Sequence, residues 1–193
     1  MGLDMVPLVA AFTFVFLAEL GDKTQIAAII LSSKCSAASV FAGSMLAFFL
    51  VDGMSALIGG ELIGSLPYRW ISLSSGVIFV IFGVLSFIRR DEKIEVEDQR
   101  VSFFKTFSVV SLMELGDKTQ IASIVLAGEL ESPFIVLAGI MLAFSLVTGI
   151  GVLFGRKLLR MLPEKYLKMG ASLLFVLFGV IFILRAMINV ALI

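Results

Sequence analysis

The stretch Glu19-Leu20-Gly21-Asp22-Lys23-Thr24-Gln25-Ile26-Ala27 sits inside an apolar run, and it returns as Glu114-Leu115-Gly116-Asp117-Lys118-Thr119-Gln120-Ile121-Ala122 inside another. An Asp, Lys or Arg at the centre of a membrane helix costs roughly 2.5–3.5 kcal/mol on the insertion scale. Six such groups facing lipid would cost on the order of 15 kcal/mol. They must therefore face one another, a ligand or a water-filled cavity, and the doubled stretch is the first candidate for a functional site.

The surrounding composition is that of a membrane protein. The chain has 193 residues, is 60% hydrophobic and has a mean hydropathy of +1.10. Fifteen basic and fifteen acidic residues cancel, so no charge excess calls for nucleic acid. There is no His, and Cys35 is the single cysteine, so an intrachain disulfide is excluded. Met1-Gly2-Leu3-Asp4-Met5 lacks the basic start of a signal peptide, and Val6 breaks the myristoylation pattern. The first apolar segment is therefore expected to be a retained span.

A span needs about 20 apolar residues. Six segments qualify: about Met5 to Leu31, Ala37 to Ile58, Trp70 to Ile88, Phe103 to Leu126, Phe134 to Phe154, and Met169 to the C-terminus. Gly59-Gly60, Glu61 and Pro67 read as a loop, and Glu129, Glu131 and Pro133 as a short acidic turn. Residues 89–102 are dense in charge of both signs and read as a solvated linker. Arg156, Lys157, Arg160, Lys165 and Lys168 read as a basic loop.

The two halves repeat. At an offset of 96, Gly43-x-Met45-Leu46-Ala47-Phe48 matches Gly139-x-Met141-Leu142-Ala143-Phe144. Leu66-Pro67 matches Leu162-Pro163, Phe79 matches Phe175, and Gly83 matches Gly179. Three spans per repeat is an odd number, so the second copy enters the membrane from the opposite side. The expected fold is an all-α membrane protein of six transmembrane helices in two inverted three-helix repeats. Residues 1–88 form the first repeat, 89–102 a cytoplasmic linker, and 103–193 the second. Eleven basic residues flank the linker side (Lys34, five from Arg89 to Lys105, five from Arg156 to Lys168), against Arg69 and Arg185 on the other. The positive-inside rule then places both termini outside the cytoplasm.

On a continuous helix, Glu19, Asp22 and Lys23 share one face, as do Glu114, Asp117 and Lys118. Each copy adds a hydroxyl (Thr24, Thr119) and an amide oxygen (Gln25, Gln120), while Gly21 or Gly116 permits close approach or a local break. Hard oxygen ligands suit Mg2+, Ca2+ and Mn2+, whereas Zn2+ and Cu2+ sites draw on imidazole and thiolate. Four carboxylates against two ammonium groups leave two negative charges, which one divalent cation balances. With the cation gone, that crowded charge favours binding protons. A site that holds either is the core of an exchanger. Lys23 and Lys118 are expected to neutralise and position Glu19 and Glu114. Asp52, whose repeat partner is Thr148, is a candidate proton relay or an interfacial acid. Gly43 and Ala47, with Gly139 and Ala143, read as small-residue packing surfaces for the second and fifth spans. Met45 and Met141 read as gap-fillers.

Glu-x-Gly-Asp-Lys-Thr/Ser, once in each of two three-span repeats, resembles the signature of a family of divalent cation/proton antiporters. That family includes Golgi calcium/manganese transporters and bacterial manganese exporters. The resemblance covers nearly the whole chain. It implies export of Mn2+ or Ca2+ from the cytoplasm in exchange for protons, with the cation bound by Glu19, Asp22, Glu114 and Asp117. The compact chain looks like a prokaryotic cell-membrane member. The transported ion is the substrate; no resident cofactor and no enzymatic activity are expected, and no feature specifies an oligomeric state. Three other readings compete. Four acids suit an exporter of a cationic organic solute such as a basic amino acid. Asp22 and Asp117 resemble the catalytic pair of an intramembrane aspartyl protease, although Glu19 stands where that pattern has Gly and each Asp is followed by Lys. A passive channel fits less well, because stacked carboxylates favour tight binding over fast conduction.

Overall fold

The computed structural model describes residues 5–34, 36–64, 66–88, 103–161 and 164–191. Among them there are helices and turns and no strand. In order the helices are α1 (Val6–Glu19), α2 (Lys23–Ser32), α3 (Ala37–Phe48), α4 (Met54–Gly64), α5 (Tyr68–Ile88), α6 (Phe103–Glu114), α7 (Lys118–Glu129), α8 (Pro133–Met161) and α9 (Glu164–Ala191). A π-helical turn, Phe49–Gly53, joins α3 to α4 without a break in direction.

Among the described residues, four uninterrupted helices are long and apolar enough to cross a bilayer: Ala37–Ile63, Tyr68–Ile88, Pro133–Phe154 and Met169–Ile188. The expected first and fourth spans are each split in two, α1 with α2 and α6 with α7. Both splits fall at the motif glycine. Gly21 has φ +81 and Gly116 φ +76, a left-handed conformation that ends a helix and is costly for any residue with a Cβ. Asp22 and Asp117 follow in extended conformation and become the N-caps of α2 and α7.

Three sequence expectations are corrected. Gly59 and Gly60 do not form a loop. They lie within α4, where a Cβ would meet Ile124 and Ala127 of α7, so they serve close helix packing. Glu129 is not a solvated turn residue but the last, buried residue of α7; the turn is at Glu131, with φ +49. The basic loop is also shorter than expected, since α8 continues to Met161 and α9 begins at Glu164. The charged linker 89–102 lies outside the described residues.

The halves make equivalent contacts in exchanged roles. A Cβ on Gly43 of α3 would meet Phe103 O, Thr106 and Phe107 of α6; one on Gly139 of α8 would meet Leu8 O, Ala11 and Phe12 of α1. The small-residue surfaces of α3 and α8 thus receive α6 and α1. Farther along, Gly60 meets Ala127 and Gly151 meets Gln25 and Ile29, so each of these pairs runs parallel. The α5–α9 pair is antiparallel: Gly76 lies against Gly179, and Gly83 against Ser172. Repeat-related aromatics meet in the core. Phe48 stacks on Phe144 with centroids 3.8 Å apart, and Phe79 lies 5.5 Å from Phe175. Phe14 fills the space beside Phe79 and Phe175. Met45 packs against the same core. Large apolar side chains such as Trp70, Phe87, Leu173 and Ile188 remain on the outer surface, where lipid solvates them.

Candidate functional site

The two helix breaks meet. Lys23 Nζ donates to Asp117 Oδ1 at 2.9 Å, and Lys118 Nζ donates to Asp22 Oδ1 at 2.8 Å. Each lysine therefore serves the opposite motif's aspartate. The expected pairing with Glu19 and Glu114 assumed a continuous helix. With the turn at Gly21, Glu19 ends one helix and Lys23 begins the next, so their shared face is lost.

Each break is held by its own glutamine. Gly21 N–H donates to Gln25 Oε1 at 2.6 Å, and Gly116 N–H to Gln120 Oε1 at 2.7 Å. The amide nitrogens reach outward, Gln25 Nε2 to Val147 O at 3.0 Å and Gln120 Nε2 to Ser55 Oγ at 2.8 Å. Both amide oxygens, expected to face a cation, are thus engaged in fixing the turn. Ser55 and the Val147 carbonyl escaped the sequence reading. Ser55 lies one helical step beyond Asp52, whereas a backbone carbonyl leaves no sequence signal.

Glu19 is buried, and both of its oxygens are engaged. Thr24 Oγ1 donates to Oε2 at 2.9 Å, and Thr119 Oγ1 donates to Oε1 at 2.5 Å. The two threonines, related by the repeat, converge on one glutamate. Glu114 is equally buried, yet neither of its oxygens has a partner among the described residues. Asp52 lies at mid-span in the π-helical turn, fully buried and with both oxygens unpartnered among the described residues. It is not an interfacial acid. It acts electrostatically on Glu114 and on Glu19.

One oxygen from each of Glu19, Asp22 and Asp117 lies within 4.8 Å of the others. The lysines occupy the Oδ1 atoms and leave Asp22 Oδ2 and Asp117 Oδ2 without partners among the described residues. The structure thus brings together three of the four expected acids, and Glu114 stands outside that set. Three carboxylates drawn from both halves, with free oxygens and two lysines to balance charge, form a hard oxygen site. The positive poles of the α2 and α7 N-termini lie at Asp22 and Asp117.

The sequence profile described as divalent cation/proton antiporter GDT1 matches the chain twice, over residues 7–93 and 102–189. GDT1-like protein 5 of Oryza sativa subsp. japonica is 29% identical, covering 85% of this chain and 88% of its own. GDT1-like protein sll0615 of Synechocystis is 28% identical, covering 89% and 94%. Protein PAM71, chloroplastic, of Arabidopsis thaliana is 28% identical, covering 89% and 55%. No solved structure matches.

Proposed function

Because the chain belongs to the GDT1 family of divalent cation/proton antiporters, we propose that it exports Mn2+ or Ca2+ from the cytoplasm in exchange for protons. The observation that carries this reading is the cluster of Glu19, Asp22 and Asp117, within 4.8 Å and built from both halves. The cation binds there as substrate, on the free Asp oxygens and on Glu19. Rocking of one repeat against the other opens the cluster to each side in turn.

Protons take the other two acids. Glu114 and Asp52 are buried carboxyls with no donor among the described residues, and a bare charge there is expensive. A proton relieves each of them. Their electrostatic link to Glu19 couples proton binding to cation release. The six-span, inverted architecture is supported by the parallel α3/α4–α6/α7 and α1/α2–α8 pairs and the antiparallel α5–α9 pair. The basic bias supports a cytoplasmic linker with both termini outside.

Equilibrium titration of the purified protein with Mn2+ and with Ca2+ tests the assignment. One cation per chain is expected, with proton release on binding and with binding lost in Asp22→Asn and Asp117→Asn. Unchanged binding in both variants contradicts it. Binding of a cationic amino acid in place of metal identifies an organic-solute exporter.

A further inference from the structure

A cavity of about 560 Å3 opens at the end of the protein that carries the chain termini. Val6 and Pro7 of α1, Tyr68 of α5, Glu129 to Glu131 at the end of α7, and Arg185 and Ile188 of α9 line it. Glu129 is 3% exposed. Ser72 Oγ of α5 donates to Glu129 Oε2 at 2.9 Å, while Glu129 Oε1 is buried with no partner among the described residues.

A carboxylate fits poorly here. The C-terminus of a helix is its negative pole, and Glu129 is the last residue of α7. Its unpartnered oxygen also bears a desolvation cost that a packing role does not explain. Among the described residues Glu129 belongs to no group of three metal-ligating side chains, whereas a proton needs only one unpartnered oxygen. We propose that Glu129 is a proton-binding site separate from the central cluster, fed from this cavity, which ties the position of α7 to the pH on the face bearing the termini.

The groups that act on Glu129 are few. Arg185 of α9 favours its charged form, as do Ser72 and Ser75 of α5, and Glu131 opposes it. Tyr68 of α5 shares the cavity. The described apolar part of α8 and this end of α1 carry no acid or base, and Glu61 of α4 is exposed. Burial outweighs the favourable contacts and raises the Glu129 pKa above its ordinary value. Its link to transport is mechanical. Glu129 and Lys118 lie three turns apart on one face of α7, so the Ser72–Glu129 bond fixes one end of the rod whose other end carries Asp117. Protonation removes charge from the acceptor and weakens that tie.

Two measurements test the site, and only the second depends on the exchanger reading. The first is pH-difference infrared spectroscopy of the purified full chain between about pH 5 and 8. A protonated-carboxyl band is expected in the wild type, absent from Glu129→Gln and displaced to higher pH in Ser72→Ala, which loses a donor to the carboxylate. A wild-type spectrum with no band sensitive to Glu129→Gln overturns the proposal, whether or not the protein moves cations. The second sets pH independently on the two faces of liposomes. Glu129→Gln should flatten the response to pH on the termini face at least about threefold and leave the response on the linker face intact. A titrating Glu129 with unaltered transport pH profiles overturns the tie to α7.

Discussion

Lys23, the first residue of α2, and Asp117, the N-cap of α7, join at 2.9 Å across 94 positions of sequence. Lys118 and Asp22 form the equivalent pair at 2.8 Å. The two pairs lock the helix breaks together and orient the aspartates that the proposed cation needs. They differ in exposure: the Lys23 side chain is 40% exposed and that of Lys118 is 19%. Removing a partner of a buried pair strands a charge, whereas exposed pairs contribute little. Lys118→Met should therefore destabilise the protein by about 2 kcal/mol and Lys23→Met by about 1 kcal/mol, both short of the fully buried case. Exchanging charges in Lys118→Asp with Asp22→Lys should recover part of the loss. Denaturant unfolding in detergent reads these values, and equal costs for the two lysines would rule out the difference in burial.

The glycines separate into two kinds. At Gly116 a Cβ would meet nothing within 4 Å, so Gly116→Ala bears only the left-handed backbone, about 1–2 kcal/mol. Gly116→Asn should cost less than Gly116→Ala, because Asn tolerates that region. At Gly139 a Cβ would lie 2.5 Å from Leu8 O, so Gly139→Ala must force α1 away from α8. Gly139→Ala should be the more damaging, in both unfolding and folded yield. The reverse order would contradict the packing described above.

The repeat, the membrane class and the acids were legible because they are written in residue identity: Gly43 with Gly139, Phe48 with Phe144, Phe79 with Phe175. The structure sets the last two pairs against each other. The cross-pairing of lysines was not legible, because counting three and four residues along a helix presumes the helix continues. The sign that it does not was present in both copies: a Gly followed by Asp, a helix stop followed by an N-cap. Gly59-Gly60 gave the opposite error. Paired glycines resemble a loop, but with Ile124 and Ala127 opposite they let two helices touch. Glu129 looked solvated because its burial depends on α5 and α9, distant in sequence.

The division of labour at the centre separates variants that a four-acid site would treat alike. Glu19→Gln should weaken cation binding by about 100-fold, near 2.7 kcal/mol. Glu114→Gln and Asp52→Asn, which mimic the protonated acids, should weaken cation binding by less, about tenfold or near 1.4 kcal/mol, and each should remove its share of the proton released on binding. Calorimetry in buffers of different ionisation enthalpy reads both quantities. Equal loss of affinity in Glu19→Gln and Glu114→Gln would return Glu114 to the cation site.

Glu129 gives a stability profile with a definite sign. Burial raises its folded pKa above the ordinary 4.5, so the folded state binds the proton more tightly than the unfolded state. That stabilisation is complete below pH 4.5 and is lost as pH rises through the folded value. Relative to Glu129→Gln, the wild type should lose stability as pH is raised above this point. A difference that is flat with pH, or of opposite slope, contradicts the burial of a carboxyl with one unpartnered oxygen.

Cation-driven proton flux tests the central claim most directly. Purified protein is placed in liposomes holding a pH dye, and Mn2+, Ca2+ or Mg2+ is added outside, with Asp22→Asn and Asp117→Asn beside the wild type. The exchange account predicts proton movement with Mn2+ or Ca2+ in the wild type and silence in both variants. Proton flux that persists in the variants, or a wild type in which no divalent cation moves protons, would contradict it.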